Sequence, residues 1–152
     1  MVIKTKCFGE VDIADDKIIS FDSGLLGFEE YKKYTILYDL ECKEDAISWL
    51  QSIEEPSLAL PVISPLVAKP DYNPVVEDAL LEPLGNVTEE NMAIFLVMTV
   101  PSDLTLMSVN LKAPLVINAD SKKGIQLIVE NQDYPVKYKI YDVFKPNDKG
   151  GN

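Results

Sequence analysis

The chain has 152 residues, of which 47% are hydrophobic, and carries a formal net charge of −11. This length suits one domain that buries a full core, and the hydrophobic content excludes an intrinsically disordered chain. No apolar run approaches the roughly 18 residues of a membrane span, and the N-terminus lacks an apolar signal core, so we expect a cytoplasmic protein. The two cysteines, Cys7 and Cys42, form no disulfide framework and no C-x-x-C motif.

Histidine and arginine are both absent from the sequence. A Ser–His dyad, a Cys–His dyad and a histidine-bearing zinc site are therefore excluded, as is a bidentate arginine clamp for phosphate. Adjacent acidic pairs such as Glu29-Glu30 and Glu54-Glu55 lie beside turn residues, and we interpret them as solvated turns rather than acid–base pairs. The composition indicates a binding protein, not an enzyme, and no metal or cofactor is expected.

The acidic charge is concentrated in the middle of the chain. Residues 34–111 hold thirteen acidic residues and two lysines, a difference of −11, whereas the rest of the chain balances twelve against twelve. No basic residue lies between Lys69 and Lys112. Such a surface repels nucleic acid and attracts a basic partner, or it serves solubility alone.

Short stretches rich in β-forming residues recur along the chain at hairpin-like spacing. The strands predicted in chain order are 2–8, 10–13, 17–21, 34–38, 46–53, 58–63, 92–100, 104–109, 115–117 and 124–129. Strands 46–53 and 58–63 form a plausible hairpin, in which Pro61 favours a sheet edge or a bulge because it has no N–H to donate. One helical turn is predicted at 29–33, and a short helix within 71–83 that starts at Asp78 as N-cap and ends by Gly85.

Two apolar runs meet at a tight corner between residues 108 and 119. Pro114 suits the first residue of a strand or a bulge, since it cannot donate to a sheet ladder. Asn110 and Asn118 flank this corner, and asparagine side chains commonly hydrogen-bond the local backbone in turns. We predict that both are tied to backbone groups near Pro114.

These patterns predict an all-β fold, a small antiparallel β-barrel with one or two short helices, because closure removes the exposed sheet edges. The predicted domain covers residues 1–144, followed by a polar, flexible tail at 145–152.

Motifs spread along the chain resemble those of the FliW family of flagellar assembly factors. They are Phe21-x-x-Gly24-Leu25-Leu26-Gly27-Phe28, Leu50-Gln51-Ser52 followed by Pro56, Asn110-Leu111-x-Ala113-Pro114-x-x-x-Asn118, and Gln126. The asparagine–proline motif is the most specific of them. The residues of these motifs that we expect to be structural are Phe21, Gly24, Gly27, Phe28, Gln51, Ser52, Asn110, Ala113, Pro114 and Asn118.

The resemblance implies a small β-barrel with two protein partners. One partner is flagellin, bound before export, and the other is the RNA-binding translational regulator CsrA. Family members bind CsrA away from its RNA surface and prevent it from repressing flagellin translation, and free flagellin competes for them. From the composition and charge we expect a cytoplasmic protein that binds neither nucleic acid nor membrane, and we expect a monomer when it is free. The alternative is a barrel that carries a small apolar ligand, which requires a sealed cavity.

We predict that the regulator-binding face draws on the acidic stretch between Pro70 and Leu111, which carries seven acidic residues and no basic one. Its proline-punctuated loop should lie on the barrel surface. The residues assigned to this face are Asp71, Tyr72, Glu77, Asp78 and Glu82, with Tyr72 as an aromatic anchor.

Overall fold

The computed structural model of the protein describes residues 1–6, 9–38, 47–88 and 90–140. The predicted tail at 145–152 and the domain end at 144 lie outside the described residues. Both cysteines also lie outside the described residues. So do Phe8 and Ala46, at the ends of the predicted strands 2–8 and 46–53.

The described chain is built from eleven short strands and a few helical turns. The strands are β1 (Val2–Lys4), β2 (Glu10–Asp12), β3 (Ile19–Ser20), β4 (Lys33–Tyr38), β5 (Ile47–Ser52), β6 (Ala59–Ile63), β7 (Met92–Thr99), β8 (Ser108–Val109), β9 (Leu115–Asn118), β10 (Lys123–Gln126) and β11 (Tyr138–Lys139). The helix α1 spans Pro65–Ala68, and 3-10 turns span Asp15–Lys17, Asp78–Leu84 and Leu104–Leu106. No helix in this part of the chain has the length and apolar character needed to cross a membrane.

Seven strands close into a barrel in the order β7–β6–β5–β4–β3–β10–β9, and β9 pairs with β7 again. The prediction of a small β-barrel is therefore confirmed. All but one of these pairings are antiparallel. The exception is the short parallel contact between β3 and β10, where Lys123 lies opposite Ser20. The Ser20 N–H donates to the Lys122 carbonyl at 2.9 Å there.

Strand β7 belongs to two sheets. Its first half, from Met92 to Phe95, pairs with β9 and closes the barrel. Its last residues, Met98 and Thr99, pair instead with β8, and β8 pairs with β11. The outer part of β7 thus extends the barrel into a small sheet, β7–β8–β11, which positions one of the surfaces described below.

Side chains fill the interior of the barrel. Phe21, Tyr34, Leu50 and Val62 are completely buried there, together with Ile19, Leu25, Leu58, Leu115 and Ile117. A second apolar cluster, which includes Met98, Val109 and Tyr134, packs against the small sheet. A third, made of Leu84, Val116 and Leu127, joins the Asp78–Leu84 turn to the outside of the barrel.

The predicted 46–53 and 58–63 hairpin is confirmed, since β5 and β6 pair in antiparallel register with Trp49 opposite Pro61. The pairing of β6 with β7 begins one residue later, at Val62. Pro61 therefore has a strand partner on one side only, a position that tolerates a residue without an N–H group.

The prediction of a helical turn at 29–33 is wrong. The Glu54 carboxylate accepts hydrogen bonds from the backbone N–H groups of Lys32 and Lys33, at 2.5 and 3.0 Å. Lys33 then pairs with Ser20 as the first residue of β4. Backbone groups that a helix would use locally are thus taken by partners from β3 and from the β5–β6 turn.

Several predicted strands are shorter than expected, among them 17–21, in which Ile19–Ser20 is strand and Lys17 ends a 3-10 turn. Within 104–109, residues Leu104–Leu106 form a 3-10 turn because the Asp103 carboxylate accepts bonds from the N–H and hydroxyl of Thr105. The strand predicted at 124–129 is Lys123–Gln126 in the structure. Beyond it, the N–H groups of Leu127 and Val129 still donate to carbonyls of the 108–119 corner, but outside a regular ladder.

The buried side chain of Tyr34 has an unusual hydroxyl. Its ring meets Phe21 edge-on at 5.5 Å, while its hydroxyl has no hydrogen-bond partner among the described residues. An unpaired buried hydroxyl costs free energy, and burial raises the pKa of Tyr34 to about 12.

We expect Tyr34→Phe to raise the free energy of unfolding by about 1 kcal/mol, because it removes an unsatisfied group and keeps the ring. Urea titration monitored by circular dichroism measures this. Tyr72→Phe is the matched control: the Tyr72 hydroxyl donates to the Leu111 carbonyl at 2.8 Å, so its removal should destabilise. A destabilised Tyr34→Phe protein would contradict the absence of a partner.

Because the Tyr34 hydroxyl is buried and its pKa is raised, we expect the protein to lose stability at alkaline pH. Between pH 10 and about pH 12 the unfolded chain loses this proton while the folded protein retains it, so the free energy of unfolding falls as pH rises through that window and is unaffected below it. Urea titrations across this range should show a shallower decline for Tyr34→Phe than for the wild type. Equal slopes in the two proteins would contradict the assignment.

Candidate protein-docking surface

The acidic segment, residues 71–84, is held against the small sheet by its one aromatic residue, Tyr72. The ring of Tyr72 stacks on Tyr134 with centroids 5.0 Å apart, and its hydroxyl donates to the Leu111 carbonyl. The Tyr134 hydroxyl in turn accepts the N–H of Asn73 at 2.8 Å. Burial raises the pKa of Tyr72, so its phenol stays protonated and remains a donor. Tyr72 is half-buried, and its role as an anchor for a partner stays a prediction.

Asn131, a residue that the sequence analysis missed, also holds the acidic segment in place. Its side-chain oxygen accepts the N–H of Val75 at 2.7 Å, and its amide nitrogen donates to the Asn73 carbonyl at 3.0 Å. The Val75 carbonyl accepts the N–H of Glu130 at 2.7 Å. The segment is therefore fastened to residues 130–134 by backbone and amide bonds, and no local pattern signals a contact between residues some sixty positions apart.

The helix predicted from Asp78 is a 3-10 turn, Asp78–Leu84, and its N-cap is Glu77 rather than Asp78. Neither residue's side chain caps the turn, because no side-chain bond to its N–H groups forms. Leu84 is the buried residue of this turn, and it packs against Val116 and Leu127. Leu81 packs against the same cluster and is partly buried, and the other residues of the turn are exposed.

The predicted acidic residues are all exposed. The Asp71 carboxylate pairs with the Lys69 ammonium at 2.8 Å, and this hydrogen bond lowers the pKa of Asp71. Glu77, Asp78 and Glu82 have no ion-pair partner among the described residues. Two aliphatic side chains lie between them in sequence and are also exposed, Val75 at 48% and Leu80 at 41%. We call this set the acidic surface: Asp71, Val75, Glu77, Asp78, Leu80 and Glu82.

The motif at residues 21–28 forms a compact loop over one end of the barrel. Phe21 is fully buried, and its ring lies where a side chain at position 124 would clash, so Gly124 is needed. Gly24 has φ +71°, and a Cβ there would lie 2.5 Å from the Glu29 Cα. Gly27 also has positive φ, and the partly buried Phe28 packs on the barrel core. These contacts support the structural role that we predict for the four motif residues.

Gln51 and Ser52 organise the β5–β6 turn. The buried Gln51 amide donates to the carbonyls of Ser52, Pro56 and Leu58, and its oxygen accepts the N–H of Lys6 at 3.0 Å. The Ser52 hydroxyl accepts the N–H groups of residues 54 and 55. This motif ties a tight turn to the N-terminal strand.

The Asn110–Pro114 corner is held as predicted. The Asn110 side-chain oxygen accepts the N–H groups of Lys112 and Ala113, at 2.9 and 3.0 Å. Ala113 is buried, and the Pro114 carbonyl accepts the N–H of Leu127 at 3.1 Å. Pro114 directly precedes β9, where a residue without an N–H is tolerated.

Gln126 links this corner to the 21–28 loop. Its amide donates to the Ala113 carbonyl at 3.1 Å, and its oxygen accepts the N–H of Leu26 at 2.8 Å. One side chain thus joins two motifs that are about ninety residues apart in sequence.

Asn118 is tied to the backbone, but not near Pro114 as predicted. Its amide donates to the carbonyls of Leu84 and Asn86, at 2.8 and 3.3 Å. Its oxygen accepts the N–H groups of Asp120 and Ser121, at 2.8 and 3.2 Å. The side chain is at the end of β9, on the far side from the proline, and it fixes the C-terminal end of the Asp78–Leu84 turn to the barrel.

The carboxylates of the adjacent glutamates accept hydrogen bonds from groups in turns. Glu54 binds two backbone N–H groups, Glu55 accepts the N–H and hydroxyl of Ser57, and Glu29 accepts the N–H of Gly27. The interpretation of these pairs as solvated turns is confirmed. Among the described residues, no group of three or more acidic, histidine or cysteine side chains is arranged to hold a metal ion.

We expect Asn118→Ala to lower the free energy of unfolding by about 1–3 kcal/mol, since it leaves the buried Leu84 carbonyl with one donor fewer and frees two N–H groups. Urea titration measures the change. The matched control is Asn86→Ala, because Asn86 is exposed and contributes its backbone carbonyl alone. If both variants have the same stability as the wild type, Asn118 is not structural.

Comparison with known proteins gives a consistent result. The FliW protein family model matches residues 2–140. The flagellar assembly factor FliW of Lachnoclostridium phytofermentans is 55% identical over 146 residues, which cover 95% of this chain and 94% of that protein. The flagellar assembly factor FliW of Lachnospira eligens is 50% identical, over 95% of this chain and 97% of that protein.

A solved structure agrees with the sequence comparisons. The crystal structure of a flagellar assembly factor FliW superposes with a TM-score of 0.83 at 32% identity, covering 92% of this chain and 96% of that one. The two chains therefore share one fold. This chain is a member of the FliW family.

Proposed function

We propose that the protein is a non-catalytic flagellar assembly factor that binds flagellin and the translational regulator CsrA in the cytoplasm. Binding to CsrA away from its RNA surface would release flagellin mRNA from repression, and free flagellin would compete for the factor. The observation that carries the proposal is the family match over residues 2–140, which includes every motif described above.

The packing of the barrel supports a protein-binding role over the alternative of a small-ligand carrier. A carrier needs an enclosed cavity, usually several hundred Å³ in volume. Here the space that such a ligand would occupy holds the completely buried side chains of Phe21, Tyr34, Leu50 and Val62. Because side chains fill the barrel, a partner would bind to its outer surface.

The acidic surface supports a basic partner. An RNA-binding protein needs positive charge to bind the phosphate backbone. Glu77, Asp78 and Glu82 are exposed, and no described lysine neutralises them, so they can attract such a partner over a Debye length. Val75 and Leu80 add apolar contact area that salt does not screen.

The direct experiment uses three purified proteins and a labelled flagellin mRNA leader. Adding the factor to the CsrA–RNA complex should release the RNA, and adding flagellin should restore the complex. RNA release is read by gel mobility or fluorescence anisotropy. A factor that leaves the CsrA–RNA complex intact at saturating concentration would refute the proposed antagonism.

We expect Glu77→Lys/Glu82→Lys to slow association with CsrA several-fold at low salt and much less at high salt, because complementary charge acts mainly on the association rate. Surface plasmon resonance at two ionic strengths measures this effect. Both residues are exposed, so circular dichroism should show an unchanged fold.

Glu10→Lys/Asp15→Lys is the matched control, with the same change in net charge at exposed positions outside the acidic surface. Equal association rates for both variants would mean that the acidic surface contributes solubility alone.

A further inference from the structure

A half-buried tyrosine, Tyr31, lies among acidic residues outside the acidic surface. It lines a depression of about 450 Å³ between the 21–28 loop and the β5–β6 turn, at the end of the barrel that this loop covers. We call this feature the Tyr31 depression. The side chains that line it include Phe28, Glu30, Tyr31, Glu55, Ser57 and Leu58.

The floor of the Tyr31 depression is apolar. Phe28 and Tyr31 pack against the core cluster of the barrel, to which Leu58 belongs. Leu26, which adjoins the lining residue Gly27 in sequence, is 54% exposed. Surface of this kind can contact the methylene chain of a lysine or arginine side chain, while the charged end of that side chain stays at the rim.

The rim of the depression is negatively charged. The charge of Glu30 is the main cause of the raised pKa of Tyr31, and burial and the charges of Glu55 and Glu54 raise it further. Hydrogen bonds from Ser57 lower the pKa of Glu55 and keep its carboxylate ionised. Neither Glu30 nor Glu55 forms an ion pair within the described part of the chain.

The neighbouring lysines do not neutralise this rim. Lys32 and Lys33 act on Glu54, whose carboxylate accepts their backbone N–H groups and has a lowered pKa as a result. The Lys33 ammonium donates to the Ser20 hydroxyl at 2.7 Å. No lysine of the described residues lines the depression. It therefore offers negative charge and an aromatic ring to a cation from outside the chain.

A buried polar group without a partner lies beneath the same part of the barrel. Tyr34 packs in one cluster with Phe28, Tyr31 and Leu58, and its hydroxyl has no hydrogen-bond partner among the described residues. Burial raises the pKa of Tyr34, and the Glu54 carboxylate and the Tyr31 phenol raise it further, so this hydroxyl faces the depression. Unpaired buried groups are rare, and departures of this kind are expected at functional sites.

We propose that the Tyr31 depression binds a lysine or arginine side chain of a basic protein partner, with the cation over the Tyr31 ring and against the carboxylates of Glu30 and Glu55. The face of an aromatic ring attracts a cation, and the carboxylates add charge-assisted hydrogen bonds. This assignment rests on the proposed function, in which the basic partner is CsrA.

The depression is then a second contact for the partner that the acidic surface attracts. Strand β10 adjoins both contacts: Ile125 packs in the cluster of Leu84, and the side-chain oxygen of Gln126 accepts the N–H of Leu26. One partner that covers this strand reaches both. The competition between the two partners is kept, because flagellin that covers either contact excludes CsrA.

The experiment measures association and dissociation of purified CsrA with variants of the full chain at two ionic strengths. Tyr31→Leu keeps an apolar side chain but removes the aromatic face, so we expect dissociation to be roughly threefold or more faster at both ionic strengths. Tyr31→Phe keeps the ring and should lose less than Tyr31→Leu. Circular dichroism checks the fold and the melting temperature of each variant.

Glu30→Gln/Glu55→Gln tests the carboxylates without changing the size of the side chains. We expect slower association at low salt and faster dissociation, because the charge that attracts and holds the cation is removed. Glu10→Gln/Asp15→Asn is the matched control, with the same change in net charge at exposed positions away from the depression in sequence, and it should change neither rate.

Wild-type rates for both Tyr31→Leu and Glu30→Gln/Glu55→Gln would overturn the proposal while the proposed function stands. An equal effect in the control, dissociation from Tyr31→Phe as fast as from Tyr31→Leu, or an effect on flagellin alone would overturn it as well. If Tyr31→Leu melts at a lower temperature, the glutamine variant decides the question. A wild-type chain that does not bind CsrA would refute the proposed function and this assignment with it.

Discussion

Closure of the barrel by the pairing of β7 with β9 is the contact on which the rest of the structure depends. Met92–Phe95 of β7 lie opposite Leu115–Asn118 of β9, which joins the two ends of the seven-strand ring. The same strand continues to Thr99 and carries β8 and β11. Because one strand is shared, the barrel, the small sheet and the cluster beneath it are held in one fixed arrangement.

Side-chain amides hydrogen-bond to the turns and strand ends that lie outside the β-ladders. Gln51, Asn110, Asn118 and Gln126 each bond at least two backbone groups, and they lie at turns or strand ends. Amides carry both donors and acceptors, so one residue can satisfy N–H and carbonyl groups together. Such groups would otherwise be buried without partners, which is costly. This accounts for the family motifs without invoking any chemistry at these residues.

The small sheet β7–β8–β11 supports the acidic segment. The acidic segment is fastened to one face of this sheet through Tyr72, Tyr134 and Asn131. Complementary charge governs association rate more than affinity, so the exposed acidic surface would act mainly on the rate at which a basic partner binds. The side chains that fill the barrel make it a rigid support for this surface.

Local patterns in the sequence were sufficient for most of the strands, the β5–β6 hairpin, the Asn110 corner and the exposure of the acidic segment, because alternation, proline and turn residues act over a few positions. They did not predict β11. The tertiary structure decided what depends on distant partners. The Asn118 amide binds the carbonyl of Leu84, thirty-four residues away. The backbone of Lys32 donates to Glu54, and β3 pairs in parallel with β10. The tertiary structure also brought Lys137 and Lys139 beside Thr99 and Leu106. Strand register and closure determine these contacts, and no local periodicity encodes them.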